Sequence, residues 1–310
     1  VHKEAGLTPF VSDGWICQGG ILCDDDVDAF VGTVPIGLAP IVQRFDTISQ
    51  DYDTDDFNWQ AVVRWRPTDT LSTFAKYANS FKAGGFDFGK TLFRPSHVDS
   101  FKFEDEFVDS WELGVKGDFL DGRANYELTA FWSEFTDLQL SAFDTVLEVQ
   151  RAQNVAEQRA RGVELRGSML LSDRLQLNLS GALLESEMLS FPGAICTEVE
   201  VDQGLCLDPE TGEPDEGGRI DRSGQTAPRS PDWQIVLNPT YWMPLGNQYK
   251  FSANGQLSIS DAYILSDEFS QIVTMPSHAD VNLSLGFGDL DDTWRLSVWG
   301  RNLLEPLPSY

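Results

Sequence analysis

The chain has 310 residues, with 22 Lys and Arg against 49 Asp and Glu, a formal net charge of −27. That acidity, with no Lys/Arg-rich run, excludes a nucleic-acid binder, which needs clustered cations to hold phosphate. Hydrophobic residues make up 41% and aromatics 12%, too much for global disorder, yet no apolar stretch of about 18 residues is there to form a membrane helix.

The N-terminus, Val1 to Gly6, lacks both an initiator Met and the apolar core of a signal peptide, so the sequence reads as a piece of something longer. Residues 1–57 form a loop region with possible short strands. Cys17 and Cys23 lie close together here, as do Cys196 and Cys206 further on, both pairs among polar, Gly- and Asp-rich residues. Such spacing points to two local disulfides, Cys17–Cys23 and Cys196–Cys206, in an oxidising compartment. The rival is a four-cysteine zinc site, but neither pair has C-x2-C spacing. No metal site is expected; the acid runs Asp24–Asp26, Asp51–Asp56 and Glu198–Glu216 read as solvated loop surface rather than as Ca²⁺ loops, because EF-hand spacing is missing.

From Trp59 onward, apolar and polar residues alternate with period two. Phe251, Ala253, Gly255, Leu257 and Ile259 share one face, and Ser252, Asn254, Gln256, Ser258 and Ser260 the other. The alternation predicts ten strands, at 58–66, 70–78, 109–119, 123–135, 157–171, 175–187, 233–243, 248–260, 278–288 and 293–303. Most are about ten residues long, which suits a tilted membrane strand better than the usual 5–6-residue soluble strand. Helical periodicity is almost absent; its best candidate, Gln153–Arg161, runs into the alternating Val163-Glu164-Leu165-Arg166.

Connections alternate between short turns, such as Leu120-Asp121-Gly122, and long links at 79–108, 136–156, 188–232 and 261–277. Short periplasmic turns and long extracellular loops mark an outer-membrane barrel; a soluble sandwich does not segregate its loops this way. The pairs Trp59/Trp65, Trp111/Phe119, Tyr126/Trp132 and Trp233/Tyr241 each share a face, six to eight residues apart. At about 3.3 Å per residue, that spacing sets one aromatic near each edge of an apolar band roughly 25 Å tall, giving two interfacial girdles. The opposite face carries Gln60, Arg64, Lys76, Glu112, Lys116, Glu127, Glu164, Arg166, Asn178, Asn254 and Arg295. Those charges are costly in a dry core and fit the interior of a wide barrel.

With the short turns in the periplasm, both ends of the segment lie outside, as they would not in a complete barrel. The fold class is therefore all-β, an incomplete portion (about ten strands) of an antiparallel up-and-down transmembrane β-barrel. Residues 58–304 are assigned to barrel strands, 1–57 to the extracellular side and 305–310 to the start of the last extracellular loop.

Specific stretches resemble one family. Tyr77-Ala78-Asn79-Ser80-Phe81-Lys82-Ala83-Gly84-Gly85-Phe86-Asp87, then Ser110-Trp111-Glu112-Leu113-Gly114-Val115-Lys116-Gly117-Asp118-Phe119, resemble blocks of TonB-dependent outer-membrane receptors. So do Ala130-Phe131-Trp132 through Asp137-Leu138-Gln139, Asn154-Val155-Ala156, Gly162-Val163-Glu164-Leu165 and Arg301-Asn302-Leu303. Each block is weak alone; the succession from residue 57 to 304 is specific. The resemblance implies a 22-strand barrel with an N-terminal plug, in the outer membrane of a Gram-negative bacterium. It implies uptake of a scarce nutrient, foremost a ferric siderophore or other iron complex, energised through TonB. The plug, TonB box and final strand are missing from this sequence, so the portion itself is not expected to transport.

No enzymatic motif or cofactor signature is present: neither a Ser/His/Asp spacing, a phosphate loop nor H-E-x-x-H. Expected partners are outer-membrane lipid, TonB with its inner-membrane complex, and the small ligand. Candidate ligand contacts are Phe81, Lys82 and Phe86 in the glycine-rich loop, and Arg64, Arg166, Trp242, Arg295 and Trp299 on the inward face. Plainer readings stand beside them: loop glycines usually serve geometry, and the arginines could pair with Glu112, Glu127 and Glu164. The alternatives are an outer-membrane barrel enzyme, opposed by the end topology and only three His, and a soluble β-rich carbohydrate-binding or adhesion protein.

Overall fold

The computed structural model describes residues 2–7, 15–17, 21–23, 48–87, 102–144, 149–206, 219–266, 269–270 and 273–304. Ten strands make one sheet: β1 (Trp59–Thr68), β2 (Leu71–Lys82), β3 (Glu106–Phe119), β4 (Ala124–Asp144), β5 (Val149–Ser172), β6 (Leu175–Ser190), β7 (Trp233–Leu245), β8 (Tyr249–Ser260), β9 (His278–Asp289) and β10 (Arg295–Gly300). Every strand pairs antiparallel with its chain neighbour, from β1 at one edge to β10 at the other, and the sheet is unclosed. The remaining sheets among the described residues are two-stranded, so no second sheet is stacked over this one as in a sandwich.

Register confirms the two-faced ribbon. Ala61, Tyr77, Trp111, Trp132, Arg161 and Glu185 are successive partners across β1 to β6, and side chains of directly paired residues share a face. The apolar face carries Val63, Leu113, Leu183, Leu296 and Val298, each more than 60% exposed, an extended apolar surface of the kind that marks a membrane or protein contact. Aromatics gather at both rims of this face. Trp59, Tyr77 and Trp111 touch in series, with ring centroids 4.9 and 5.3 Å apart, at the long-loop end. Phe119 meets Tyr126 at 6.1 Å, and Tyr249, Phe287 and Trp294 meet at 5.4–6.2 Å, at the short-turn end.

Three cross-strand pairs set a ring over a glycine. Phe74 covers Gly114, where a Cβ would lie 2.2 Å from the ring; Tyr126 covers Gly117, and Phe131 covers Gly162. Each ring and glycine are direct partners, so the larger residue fills the space the smaller one leaves, an arrangement that stabilises glycine in strands. At Gly162 a Cβ would also lie 2.1 Å from the Leu183 carbonyl.

Two expectations need correction. The link 136–156 is mostly strand: β4 and β5 run on to Asp144 and from Val149. A register shift at Phe135/Leu138, with Asp137 at φ 53°, marks a bulge there. Beyond it Leu138, Leu140, Val155 and Ala156 pack in and against the buried cluster of the loop cap instead of facing lipid, so the strands continue past the end of the membrane-facing alternation. Gln153–Arg161 accordingly lies in β5 rather than in a helix. Among the described residues a helix, α1 (Glu198–Asp202), sits in the link 188–232, where five residues are too few to show a period. Strand ends also move: β1 continues through Pro67 to Thr68, and β10 stops at Gly300.

The tightly buried apolar residues lie off the band. Met188, Phe191, Ala194, Ala227, Phe269 and Ala156 pack together at the long-loop end, where the outer ends of β5 and β6 meet the loop cap. Cys196 and Cys206 form the expected disulfide, with Cα atoms 6.0 Å apart, which sets aside a zinc site for that pair. The Cys17–Cys23 pairing concerns side chains outside the described residues; their backbones belong to the antiparallel segments Trp15–Cys17 and Ile21–Cys23. In 1–57, His2–Leu7 pairs with Ile48–Asp53.

Candidate functional site

The polar face of β2 to β5 carries a ladder of opposite charges. Lys76 Nζ is 2.7 Å from Glu112, Lys116 Nζ 2.8 Å from Glu127, and Arg166 Nη2 3.2 Å from Glu164. The expected arginine pairing is thus met at Arg166 alone; lysines from β2 and β3 take Glu112 and Glu127. All six groups stay partly exposed, so the pairs satisfy the charges more than they stabilise the sheet. A hollow of about 610 Å³ opens beside them toward the short turns, lined by Arg66, Lys116, Glu127, Arg166, Asn178 and Asn238 among others. A second, of about 290 Å³, is walled by Phe74, Glu112, Phe131, Glu164 and Arg166.

At the long-loop end, polar contacts tie four segments together around Asp105. Its carboxylate, in a residue 6% exposed, accepts the Tyr52 hydroxyl at 2.8 Å, the Gly84 N–H at 2.5 Å and the Thr54 hydroxyl. Burial pushes this carboxyl up, but the Gly84 N–H and the Thr54 and Tyr52 hydroxyls outweigh it and hold the group below the usual range. Tyr52 is shifted the other way: burial, then the Asp105 carboxylate, raise its phenol well above the ordinary value. Gly84 must lack a side chain, since a Cβ there would lie 2.3 Å from the Phe103 carbonyl. Beside this clasp, Asn154 donates from Nδ2 to the carbonyls of Asp137 (2.7 Å) and Glu104 (2.9 Å), and its Oδ1 accepts the Glu104 N–H at 2.6 Å. Gln139 donates to the carbonyls of Lys82 and Glu104 at 3.1 and 3.0 Å.

The cap over β6 and β7 is also pinned by charge. Glu200 accepts the N–H and hydroxyl of Thr197 at 2.8 and 2.9 Å and both Nη atoms of Arg222 at 2.5 and 2.6 Å. Arg222 is 2% exposed, and its guanidinium lies 5.4 Å from the Phe269 ring centroid. Burial raises the Glu200 carboxyl, and the Arg222 and Thr197 donors bring it down below its ordinary value.

The candidate ligand residues do not converge. In the clasp region, Phe86 packs edge-on to Tyr52 at 6.5 Å, Lys82 Nζ lies 3.6 Å from Glu106, and the Phe81 N–H donates to Asn58 at 2.8 Å. Arg64 and Arg166 lie on the polar face. Trp242 and Arg295 stand on the same face near the short turns, where Arg295 Nη2 donates to Ser252 Oγ at 2.5 Å. Trp299 lies on edge strand β10, 4.9 Å under the Arg301 guanidinium. Of the clasp residues, Gln139 and Asn154 fall in the family-like blocks, where the sequence assigns them no role, and Asp105 falls outside those blocks; only the adjoining Gly-Gly hints that another backbone comes close.

Comparison with known proteins agrees with this architecture. The "Probable TonB-dependent siderophore receptor PiuA" of Acinetobacter baumannii is 25% identical over 141 residues, 44% of this chain and 18% of that protein. Among solved structures, the ferric yersiniabactin uptake receptor FyuA of Yersinia pestis superposes with TM-score 0.61 at 15% identity, over 87% of this chain and 35% of that one. The siderophore receptor PiuA of Acinetobacter baumannii gives 0.60 at 19% identity, over 87% and 34%. The chain therefore spans about a third of the length of the solved structures it matches. Residues 24–303 match the family described as "TonB dependent receptor-like, beta-barrel", and the chain belongs to that family.

Proposed function

We propose that this chain is part of the wall of a receptor that takes up a ferric siderophore, driven through TonB. It is a β-barrel protein of the Gram-negative outer membrane, in a family of receptors rather than enzymes. What carries the reading is the sheet itself, apolar with aromatic rims on one face and charged on the other, within a chain matching this family. Arg64, Arg66, Arg166 and Arg295 on the polar face supply a field for an anionic chelate. Lys82, Phe81, Phe86, Trp242 and Trp299 remain the candidate contacts along its route. Residues 1–57 serve as extracellular loop, and 58–304 as barrel wall.

The test is iron-55 uptake by iron-starved cells lacking the gene, complemented with the complete receptor that carries this chain. Uptake of at least one ferric siderophore should return on complementation and vanish when the proton-motive force is collapsed. Full uptake of every siderophore offered, with the gene deleted, refutes the assignment. A soluble adhesion protein, the other reading, would stay in solution without detergent.

A further inference from the structure

The apolar face changes character at its long-loop end. Val163 pairs with Leu183, and the next face-sharing pairs outward are Arg161 with Glu185 and Arg159 with Glu187. On the β4 side, Arg161 and Arg159 face Trp132 and Glu134. Two guanidiniums thus stand on the lipid-facing side of the wall, at the aromatic rim and just beyond it. Both lie over the Trp132 ring, at 5.1 Å for Arg161 and 5.2 Å for Arg159. Carboxylates hold the forks in place: Arg161 donates from Nε and Nη2 to Glu185 at 3.0 and 2.6 Å, and Arg159 donates to Glu187. A guanidinium carries five N–H donors, so each fork keeps donors in reserve, and the shielded Arg159 Nε has no acceptor among the described residues.

A groove of about 390 Å³ reaches from Arg161, Glu185 and Asp232 past Trp132 to Val163 and Leu183, and Leu183 is 62% exposed. From outside inward, the rows are Glu134, Arg159 and Glu187, then Trp132, Arg161 and Glu185, then the aliphatic Ala130, Val163 and Leu183. That order matches an amphiphile with a phosphate at the water boundary and acyl chains below it. We propose that Arg159 and Arg161 bind the phosphate of an outer-leaflet lipid whose acyl chain lies in the groove along Val163 and Leu183. The groove walls lie in the band that faces hydrocarbon, so lipid is the occupant within reach. Glu185 and Glu187 act as positioning residues that keep the forks parallel, and phosphate is the anion whose geometry suits such forks. This site is on the outside of the wall, separate from the inward face proposed for the transported ligand.

The experiment uses the complete receptor that carries this chain, purified in mild detergent and placed in phosphatidylcholine nanodiscs doped with diphosphorylated lipid A. Native mass spectrometry counts bound lipid A. Arg159→Gln with Arg161→Gln should weaken binding by about tenfold or more, while Lys76→Gln with Lys250→Gln, which also removes two positive charges but from the other face, should bind like the unaltered protein. The unaltered protein should bind lipid A stripped of its phosphates at least about tenfold more weakly, a comparison that stands even if the double variant does not fold. Equal binding of the two lipids, or unchanged binding by a folded double variant, overturns the proposal.

Discussion

Replacing Asp105 should unfasten the outer clasp without loosening the sheet. Its carboxylate accepts three donors, Tyr52, Thr54 and the Gly84 N–H. Hydrogen bonds to a charged group contribute about 1.5–3 kcal/mol each, but both hydroxyls recover water once the clasp opens, so Asp105→Ala should cost locally about 3–5 kcal/mol. Asp105→Asn keeps the shape and one strong acceptor, and should cost roughly half of that. The assay is amide hydrogen exchange, read at Gly84 and along 48–57 against β7 and β8 as internal controls. A local loss of about 3 kcal/mol speeds exchange at Gly84 by about 100-fold, because local opening sets the rate there. Acidity gives a second handle. The folded carboxyl is held below its ordinary value, so its contribution is complete above the usual carboxylate range and is lost as pH falls through the folded pKa. Exchange at Gly84 should accelerate in that acid window in the unaltered protein and show no such step in Asp105→Asn. Gly84 protection within about threefold of the unaltered protein, in Asp105→Ala, would refute the idea that this carboxylate fastens the loops.

Gly162→Ala would drive a Cβ against the Leu183 carbonyl; backbone cannot yield as a side chain can, so a loss of about 3 kcal/mol or more is expected in urea unfolding followed by heat-dependent gel mobility. Leu165→Arg, on the lipid face between the two aromatic rims, should cost about 2–4 kcal/mol in the same assay, whereas Thr129→Arg, on the polar face opposite Glu164, should cost under about 1 kcal/mol; equal costs would contradict the assignment of faces. Glu200→Gln should make the cap at 188–232 more sensitive to protease at neutral pH. Because the Glu200 carboxyl is held below its ordinary value, the unaltered cap should gain the same sensitivity only as pH falls through the carboxylate range.

How much of this was legible depended on whether hydrocarbon or loop contacts shaped the segment. Where lipid covers one side, as along Phe251 to Ile259, alternation is enforced residue by residue, and the strands sit within a few residues of their expected places. Above the rim that constraint lifts. The hairpin of β4 and β5 continues through Gln139 and Asn154 on backbone pairing and on side-chain contacts with distant loops, which composition does not reveal. The clasp escaped for another reason: Asp105 and Tyr52 are 53 residues apart, and a contact between polar loop residues leaves no periodic trace. The ladder was half legible. Glu112, Glu127 and Glu164 were placed on the correct side, but only the register of β2 against β3 decides that Lys76 reaches Glu112.

A pleated ribbon slid by two positions still shows its greasy side outward, so hydrophobicity by itself leaves the tilt and girth of a cylinder undetermined. Phe74 on Gly114, Tyr126 on Gly117 and Phe131 on Gly162 behave as teeth in notches. Each favours one alignment of neighbouring ribbons: a two-position slip would set Phe74 against Glu112 or Lys116, Tyr126 against Val115 or Phe119, and Phe131 against Ala160 or Glu164. Together they let the sequence fix the stagger of its staves, and with it the bore of the vessel they enclose.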